Sequence, residues 1–220
     1  MIASNNIENW VFDLDNTLYP ASLGIIEQAR EKVVVYMADL LKITHEESIH
    51  LYRELHKDYG SIMRGLKMKH NLQPKDLFET MRGLNLSHVL PDIKLHKALS
   101  KLKGRKIIFT NAPQLHAETM LEKLGILEHF DHIYDIGAAN YIPKPLPETY
   151  SNFLVKYNIN PANSIMFEDV PMNLKPASDL GMMTVLVRNN PESFLPDCKK
   201  DYIDHIADDI AEWLHNTYME

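Results

Sequence analysis

Five short apolar runs set the limits on how this chain can fold. They are Asn9-Trp-Val-Phe-Asp13, Lys106-Ile-Ile-Phe-Thr110, His132-Ile-Tyr-Asp135, Ser164-Ile-Met-Phe-Glu168 and Thr184-Val-Leu-Val187. Each is strand-sized, rich in β-branched and aromatic residues, and bounded by turn chemistry. Unbroken apolar runs of this length belong to strands covered on both faces, as in a parallel sheet. From the second run onward a helical pattern follows each strand, which predicts an α/β fold with helices on both sides of a parallel sheet. Pro113 to Leu124 carries Leu115, Thr119, Met120 and Leu124 and stops before Gly125; Pro147 to Tyr157 and Leu174 to Leu180 repeat the pattern. Proline at a helix start and glycine just past its end are where backbone geometry accepts them.

The spacing between the first two runs breaks this rhythm. A parallel crossover needs only a dozen or more residues, and the segment from Tyr19 to Pro91 is far longer. Ile25, Ile26, Ala29, Val33, Val34, Met37, Leu40 and Leu41 fall on one helical face, and Thr44 with Glu47 reads as a capping box opening another helix. The expectation is an inserted all-helical domain over residues 19–91, with a discontinuous core made of residues 1–18 and 92–220. The end of the chain suggests a short edge element and an amphipathic helix around Ile206, Ile210 and Leu214.

Charge then narrows the partners. Lys+Arg number 23 and Asp+Glu 30 in 220 residues, a net −7, so the chain offers no basic field for a nucleic-acid polymer. A small anionic metabolite stays open if a divalent cation mediates the contact. The single cysteine, Cys198, cannot close an intramolecular disulfide, and the opening MIASNNIENW has neither a basic nor an apolar leader region, so a cytoplasmic location is expected. No apolar run approaches the ~20 residues of a membrane span. The eleven histidines include His129 and His132, and His45 and His50. Neither pair has i, i+4 spacing and no second cysteine is present, so they read as solvated side chains. Met182 and Met183 follow a helix end and read as core.

The strand ends carry the chemistry, because ligands gather at the carboxyl ends of strands in open α/β sheets. Phe12-Asp13-Leu14-Asp15-Asn16-Thr17 sets two carboxylates two residues apart after the first strand. Repulsion there calls for a proton or a hard cation, for which Mg²⁺ is suited. The second strand ends in Thr110-Asn111-Ala112 before a helix N-terminus, and the third is followed by Lys144 between prolines. The fourth ends in Glu168-Asp169, followed by Asn173, read as the cap of the next helix. Taken singly, these are a solvated turn, a helix cap, a surface lysine and a charged turn. Taken jointly, they complete one phosphate-and-metal site.

In this order and spacing FDLDNT, TNA, the KP lysine and FEDVPMN resemble the four motifs of the haloacid dehalogenase superfamily of phosphohydrolases, and the helical insert resembles that superfamily's first cap class. DLDNTLYP, with Tyr59-Gly60 and Arg64-Gly65-Leu66, is similar to the pyrimidine 5′-nucleotidase subfamily. The resemblance implies a three-layer Rossmann-like core with a helical cap. It implies Asp13 as nucleophile and Asp15 as acid and then base. Thr110, Asn111 and Lys144 would bind the phosphoryl oxygens. Mg²⁺ would be held by Asp13, the Asp15 carbonyl and Asp169, with Glu168 direct or through water. The implied substrate is a nucleoside monophosphate such as UMP or CMP, met by Arg64 within a basic cluster with Lys67, Lys69 and His70, and by Tyr19 or Tyr59 stacking on the base. Alternatives are phosphoglycolate or a sugar phosphate as substrate, a β-phosphoglucomutase-like phosphomutase, and an inactive binding module. The second aspartate argues against haloacid hydrolysis.

Overall fold

A computed structural model of the chain describes residues 7–71, 83–188 and 200–218. Six parallel strands form one sheet in the order β3-β2-β1-β4-β5-β6. They are β1 (Asn9–Phe12), β2 (Arg105–Phe109), β3 (His132–Tyr134), β4 (Ser164–Glu168), β5 (Met183–Val187) and β6 (His205–Ala207). The sixth is the short edge element, and Ile206 lies in it. Side chains alternate across a strand. Accordingly Trp10, Phe12, Ile108, Ile165 and Phe167 join one buried cluster, and Val11, Ile107, Phe109 and Met166 join another on the opposite face.

Helices cover both faces. On the first lie α4 (Ile93–Lys101), α5 (Gln114–Leu124) and α8 (Ile210–Tyr218); on the second lie α6 (Pro147–Tyr157) and α7 (Pro171–Asp179). The predicted stripe of α5 is rotated by one position. His116, Ala117, Met120, Leu121 and Leu124 are buried, whereas Leu115 points outward at 46% exposure. A polar ring therefore occupies a core-facing position.

Between β1 and α4 come α1 (Ile25–Leu41), α2 (His45–Tyr59) and α3 (Ile62–His70). The capping box forms in both halves at Thr44 and Glu47, and α1 buries Ile25, Ala29, Val33, Val34 and Met37. These helices hold their own cluster of Val33, Met37, Leu55, Ile62 and Leu66. The insert is not helical throughout. Residues 84–92 form no helix, and Leu84, Leu86 and Val89, like Tyr19 and Ile25, pack with the sheet-side cluster. Residues 72–82 of the expected helical domain lie outside the described residues.

Two glycines set the geometry of these helices. Gly60 ends α2 at φ 71°, and a Cβ there would lie 3.6 Å from Cγ of Pro143. Gly65 lets α3 cross α2 closely, since a Cβ at that position would meet Leu55 Cβ at 2.8 Å. Arg64-Gly65-Leu66 thus has a packing reason independent of any substrate. Gly65→Ala is expected to cost about 1–3 kcal/mol through overpacking, read as a lower midpoint in urea unfolding; an unchanged midpoint would show that the crossing relaxes freely.

Candidate active site

The strand order reverses between β1 and β4, and the crevice at such a reversal is where open α/β sheets bind ligands. The register Phe12↔Phe167 aligns their ends, and the Asp13 N–H donates to the Phe167 carbonyl at 2.9 Å. Asp13 therefore leaves the sheet beside Glu168. The turn folds back through Leu18 N–H to Leu14 carbonyl at 3.0 Å, with Asn16 at φ 62°, a conformation that asparagine tolerates. Thr17 Oγ1, fully buried, lies 2.9 Å from Asp13 Oδ2 and 3.4 Å from Asp169 Oδ1. It ties the first strand end to the fourth.

Lys144, 2% exposed, reaches the same point. Its ammonium donates to Asp13 Oδ1 at 2.7 Å, Glu168 Oε2 at 2.7 Å and the Phe109 carbonyl at 2.8 Å. An ammonium has three protons, so all are in use. These bonds order Asp13, and a phosphoryl oxygen would have to share or replace one of them. Asn111 is likewise committed: its carboxamide oxygen accepts from Lys144 N–H at 2.8 Å and its NH₂ donates to the Lys144 carbonyl at 3.2 Å. The Asn111 side chain thus clasps the lysine loop, with one Nδ2 proton outside that pair, and Asn111 lines the cavity. Thr110, buried at the end of β2, accepts from Ala112 N–H at 2.9 Å and keeps its hydroxyl proton to donate.

The pocket has more negative charge than Lys144 can balance. Burial first, then Glu168 and Asp15, push the Asp13 carboxyl up to about 7 against the pull of Lys144. Burial, with Glu168 and Asp13, raises Asp169 to about 9. Burial opposes the charge of Lys144, yet Asp13 and Glu168 raise its pKa above the ordinary lysine value. The ligand oxygens of Asp13, Glu168 and Asp169 lie within 4.8 Å of one another. Three crowded carboxylates are a donor set for a hard dication, so the residues present fit Mg²⁺. Glu168 is the least free of them: Oε2 is held by Lys144, and Oε1 accepts from Asn173 Nδ2 at 2.8 Å and Val170 N–H at 3.3 Å. Asp13 also has both oxygens engaged, Oδ1 by Lys144 and Oδ2 by Thr17, so Asp169 is the carboxylate with the fewest protein partners of the three.

Asp15 differs. Burial disfavours its charge, but the neighbouring His116, with hydrogen bonds from that ring and from Tyr19, holds its carboxyl below the usual value. Burial and the Asp15 charge in turn push the Tyr19 phenol far up. Tyr19 is 2% exposed with its hydroxyl on Asp15 Oδ1, which removes it as a ring for stacking on a base.

The cavity above these groups measures about 330 Å³ and is roofed by the helical insert, where Arg30, Tyr52 and His56 line it. Arg64, Tyr59, Lys67, Lys69 and His70 do not line it. Lys69 pairs with Glu54 at 2.5 Å, and Lys67 lies over the Tyr141 ring at 5.1 Å. Two members of the predicted basic cluster are thus engaged within the protein, and the insert's arginine that lines the cavity is Arg30, one turn after Ile26 on α1. His116 was also missed, although its place four residues before Met120 on an apolar stripe marks a buried polar ring. The histidine pairs dissolve: His45 meets Glu31 at 2.9 Å, and His132 stacks on Tyr157. His129 meets His96 and Glu128 in a second group of possible ligands. There His96 Nδ1 also faces the Gly125 carbonyl at 3.1 Å, a contact that commits that nitrogen to donating.

A family model described as haloacid dehalogenase-like hydrolase matches residues 7–181. The chain belongs to the haloacid dehalogenase-like hydrolases. Among its relatives, the glyceraldehyde 3-phosphate phosphatase of Methanocaldococcus jannaschii is 27% identical, covering 97% of this chain and 95% of its own. The Escherichia coli fructose-1-phosphate phosphatase YqaB is 28% identical over 50% of this chain and 58% of its own. The haloacid dehalogenase-type (HAD) phosphatase from Thermococcus onnurineus superposes with a TM-score of 0.65 at 20% identity, covering 96% of this chain and 97% of its own. Among the described residues of this hydrolase no helix is long and apolar enough to cross a membrane.

The raised Asp13 and Asp169 values, from 3.8 to about 7 and about 9, set the sign of a pH effect. Without a cation the folded hydrolase binds more protons than the unfolded chain between about pH 4 and 9, so this contribution to stability is full below about pH 4 and lost as pH rises through both values. The melting temperature in chelator should fall from pH 6 to 9, and the increase on adding Mg²⁺ should grow with pH. Asp169→Asn should flatten both trends; a Mg²⁺ effect independent of pH would contradict this assignment.

Proposed function

We propose that this hydrolase is a Mg²⁺-dependent phosphatase of small phosphate monoesters that works through an aspartyl-phosphate on Asp13. The observation that carries the reading is Asp15, a second carboxyl lining the same cavity as Asp13. A phosphate ester needs a proton for its leaving oxygen, and Asp15 supplies it. The Asp13 and Asp169 side chains with the Asp15 carbonyl would hold Mg²⁺, whose charge, when bound, offsets the repulsion between carboxylates and phosphate.

In the first half-reaction Asp13 attacks phosphorus, the bond from phosphorus to the ester oxygen breaks, and Asp15 protonates that oxygen. In the second, Asp15 takes a proton from water, which attacks the phosphoryl group and frees Asp13. Lys144 pulls the Asp13 pKa down against burial and aims the carboxylate, while the Thr110 hydroxyl and main-chain N–H groups between β2 and α5 meet the phosphoryl oxygens. Residues 19–91 serve as a cap that closes over the substrate and excludes water. The enzyme works in the cytoplasm.

For the substrate, the named activities of the relatives support a short sugar phosphate of the triose or ketose type. The nucleoside monophosphate reading is favoured by a separate observation: the Tyr52 and His56 rings on the cavity roof are near parallel, 16° apart. In both readings Arg30, and not Arg64, meets the part of the substrate beyond the phosphate.

Phosphate release should be measured with glyceraldehyde 3-phosphate, fructose 1-phosphate, phosphoglycolate, UMP and CMP, in Mg²⁺ and in chelator. Asp13→Asn should lower turnover by ~10⁴-fold or more, the scale of losing a covalent nucleophile. Arg30→Ala should raise KM for the best substrate and leave Arg64→Ala as its unaffected control. Turnover retained in Asp13→Asn would sink the mechanism, and UMP as the sole good substrate would select the nucleotidase.

A further inference from the structure

We infer that His116 and Tyr19 are positioning residues for Asp15, together fixing its Oδ1 so that all proton exchange with substrate and water takes place at Oδ2. The inference rests on the phosphatase reading. His116, third residue of α5 and 5% exposed, places Nε2 2.8 Å from Asp15 Oδ1. The Tyr19 hydroxyl, carried by the chain just after the turn that follows β1, donates to the same oxygen. Among the described residues both of these bonds fall on Oδ1 and none on Oδ2, and Asp15 lines the cavity.

The asymmetry has a chemical consequence. A protonated carboxyl carries one O–H and one accepting oxygen. Two donors aimed at Oδ1 leave no room for a hydrogen on it, so the proton of the acid form must sit on Oδ2. The same atom then serves both halves of the reaction. Oδ2–H gives its proton to the departing ester oxygen as the phosphorus–oxygen bond breaks. The Oδ2 lone pair next takes a proton from the water that forms the new bond to phosphorus. Neither step moves the anchored oxygen, and the carboxyl need not rotate between them. While Asp15 is ionised the facing Nε2 must be the donor, because a carboxylate has no proton to give, and the Nε2–H tautomer keeps that direction when Asp15 is protonated.

Burial makes the anchor rigid. An imidazole on the core stripe of α5 gives up hydration and regains it partly through this bond. The segment running from Thr110 into α5 thus sets two parts of the site at once: Thr110 to Pro113 line the cavity, and the first inward residue of the helix holds the acid.

The test is the dependence of kcat/KM on leaving-group basicity, using phenyl, 4-nitrophenyl and 2,4-dinitrophenyl phosphates with Mg²⁺. The better the leaving group, the less it needs a proton. Tyr19→Phe, which keeps the buried ring, and His116→Leu should lower kcat/KM for phenyl phosphate by ~10²-fold, the scale of losing general acid catalysis, and far less for the dinitrophenyl ester. His116→Gln, whose amide Nε2 can reach the place of the imidazole nitrogen, should recover most of the loss. A parallel fall on all three esters, or none, with melting temperature unchanged, overturns the inference while leaving the phosphatase reading intact. A wild type that cleaves none of these esters nor any in the metabolite panel overturns both.

Discussion

The contact on which the rest of this protein depends is the buried ammonium of Lys144, held between Asp13, Glu168 and the Phe109 carbonyl. Taking one carboxylate out of water is costly, and gathering three is tolerable only with compensating charge and hydrogen bonds. The fold supplies these from four strand ends. Strands β1 and β4 bring the acids together, β2 provides a carbonyl, and the loop beyond β3 delivers the lysine. Each donor or acceptor is fixed by backbone that the parallel ladder already holds in place. What stays uncompensated is the site's capacity to bind: the negative charge left over after Lys144 is satisfied is what a cation would neutralise.

Much of this was legible in the sequence because it lies on local patterns. Short β-branched runs mark the strands, with ends shifted by only one residue, and the acids, hydroxyl and lysine sit directly at or after those runs. The capping box at Thr44 and Glu47 needs only residues three apart. The site elements that escaped are those whose meaning is set by distant chain. Arg30 looks like any charge on an amphipathic helix until α1 is laid over β1. The second task of Asn111, clasping the lysine loop 33 residues on with both ends of its carboxamide, has no local signal. Tyr19 could have been a stacking ring, but the packing of Leu18 and Ile25 beside it turns it inward. His116 is the clearest case. Its position on the stripe of α5 was visible, but a register one residue off put Leu115 there instead.

The insert follows the same division between local and distant causes. Its three described helices follow from amphipathic spacing and caps. Its return segment does not, since Leu84, Leu86 and Val89 are held by the sheet-side cluster and carry no helical pattern of their own. The two ends of the insert are therefore rooted in the core, and its middle forms a separate small cluster around Met37 and Leu55.

The loop that holds Lys144 has a second neighbour. Pro143 lies against Gly60 at the turn between α2 and α3, and Tyr141 lies beneath Lys67. The seat of the insert and the mount of the buried lysine are one stretch of four residues, Tyr141 to Lys144, clasped by Asn111. Anyone grafting a foreign helical segment onto this core to change its selectivity must match that seat: the turn at Gly60 has φ 71° and lies against Pro143, the residue before the lysine that holds Asp13.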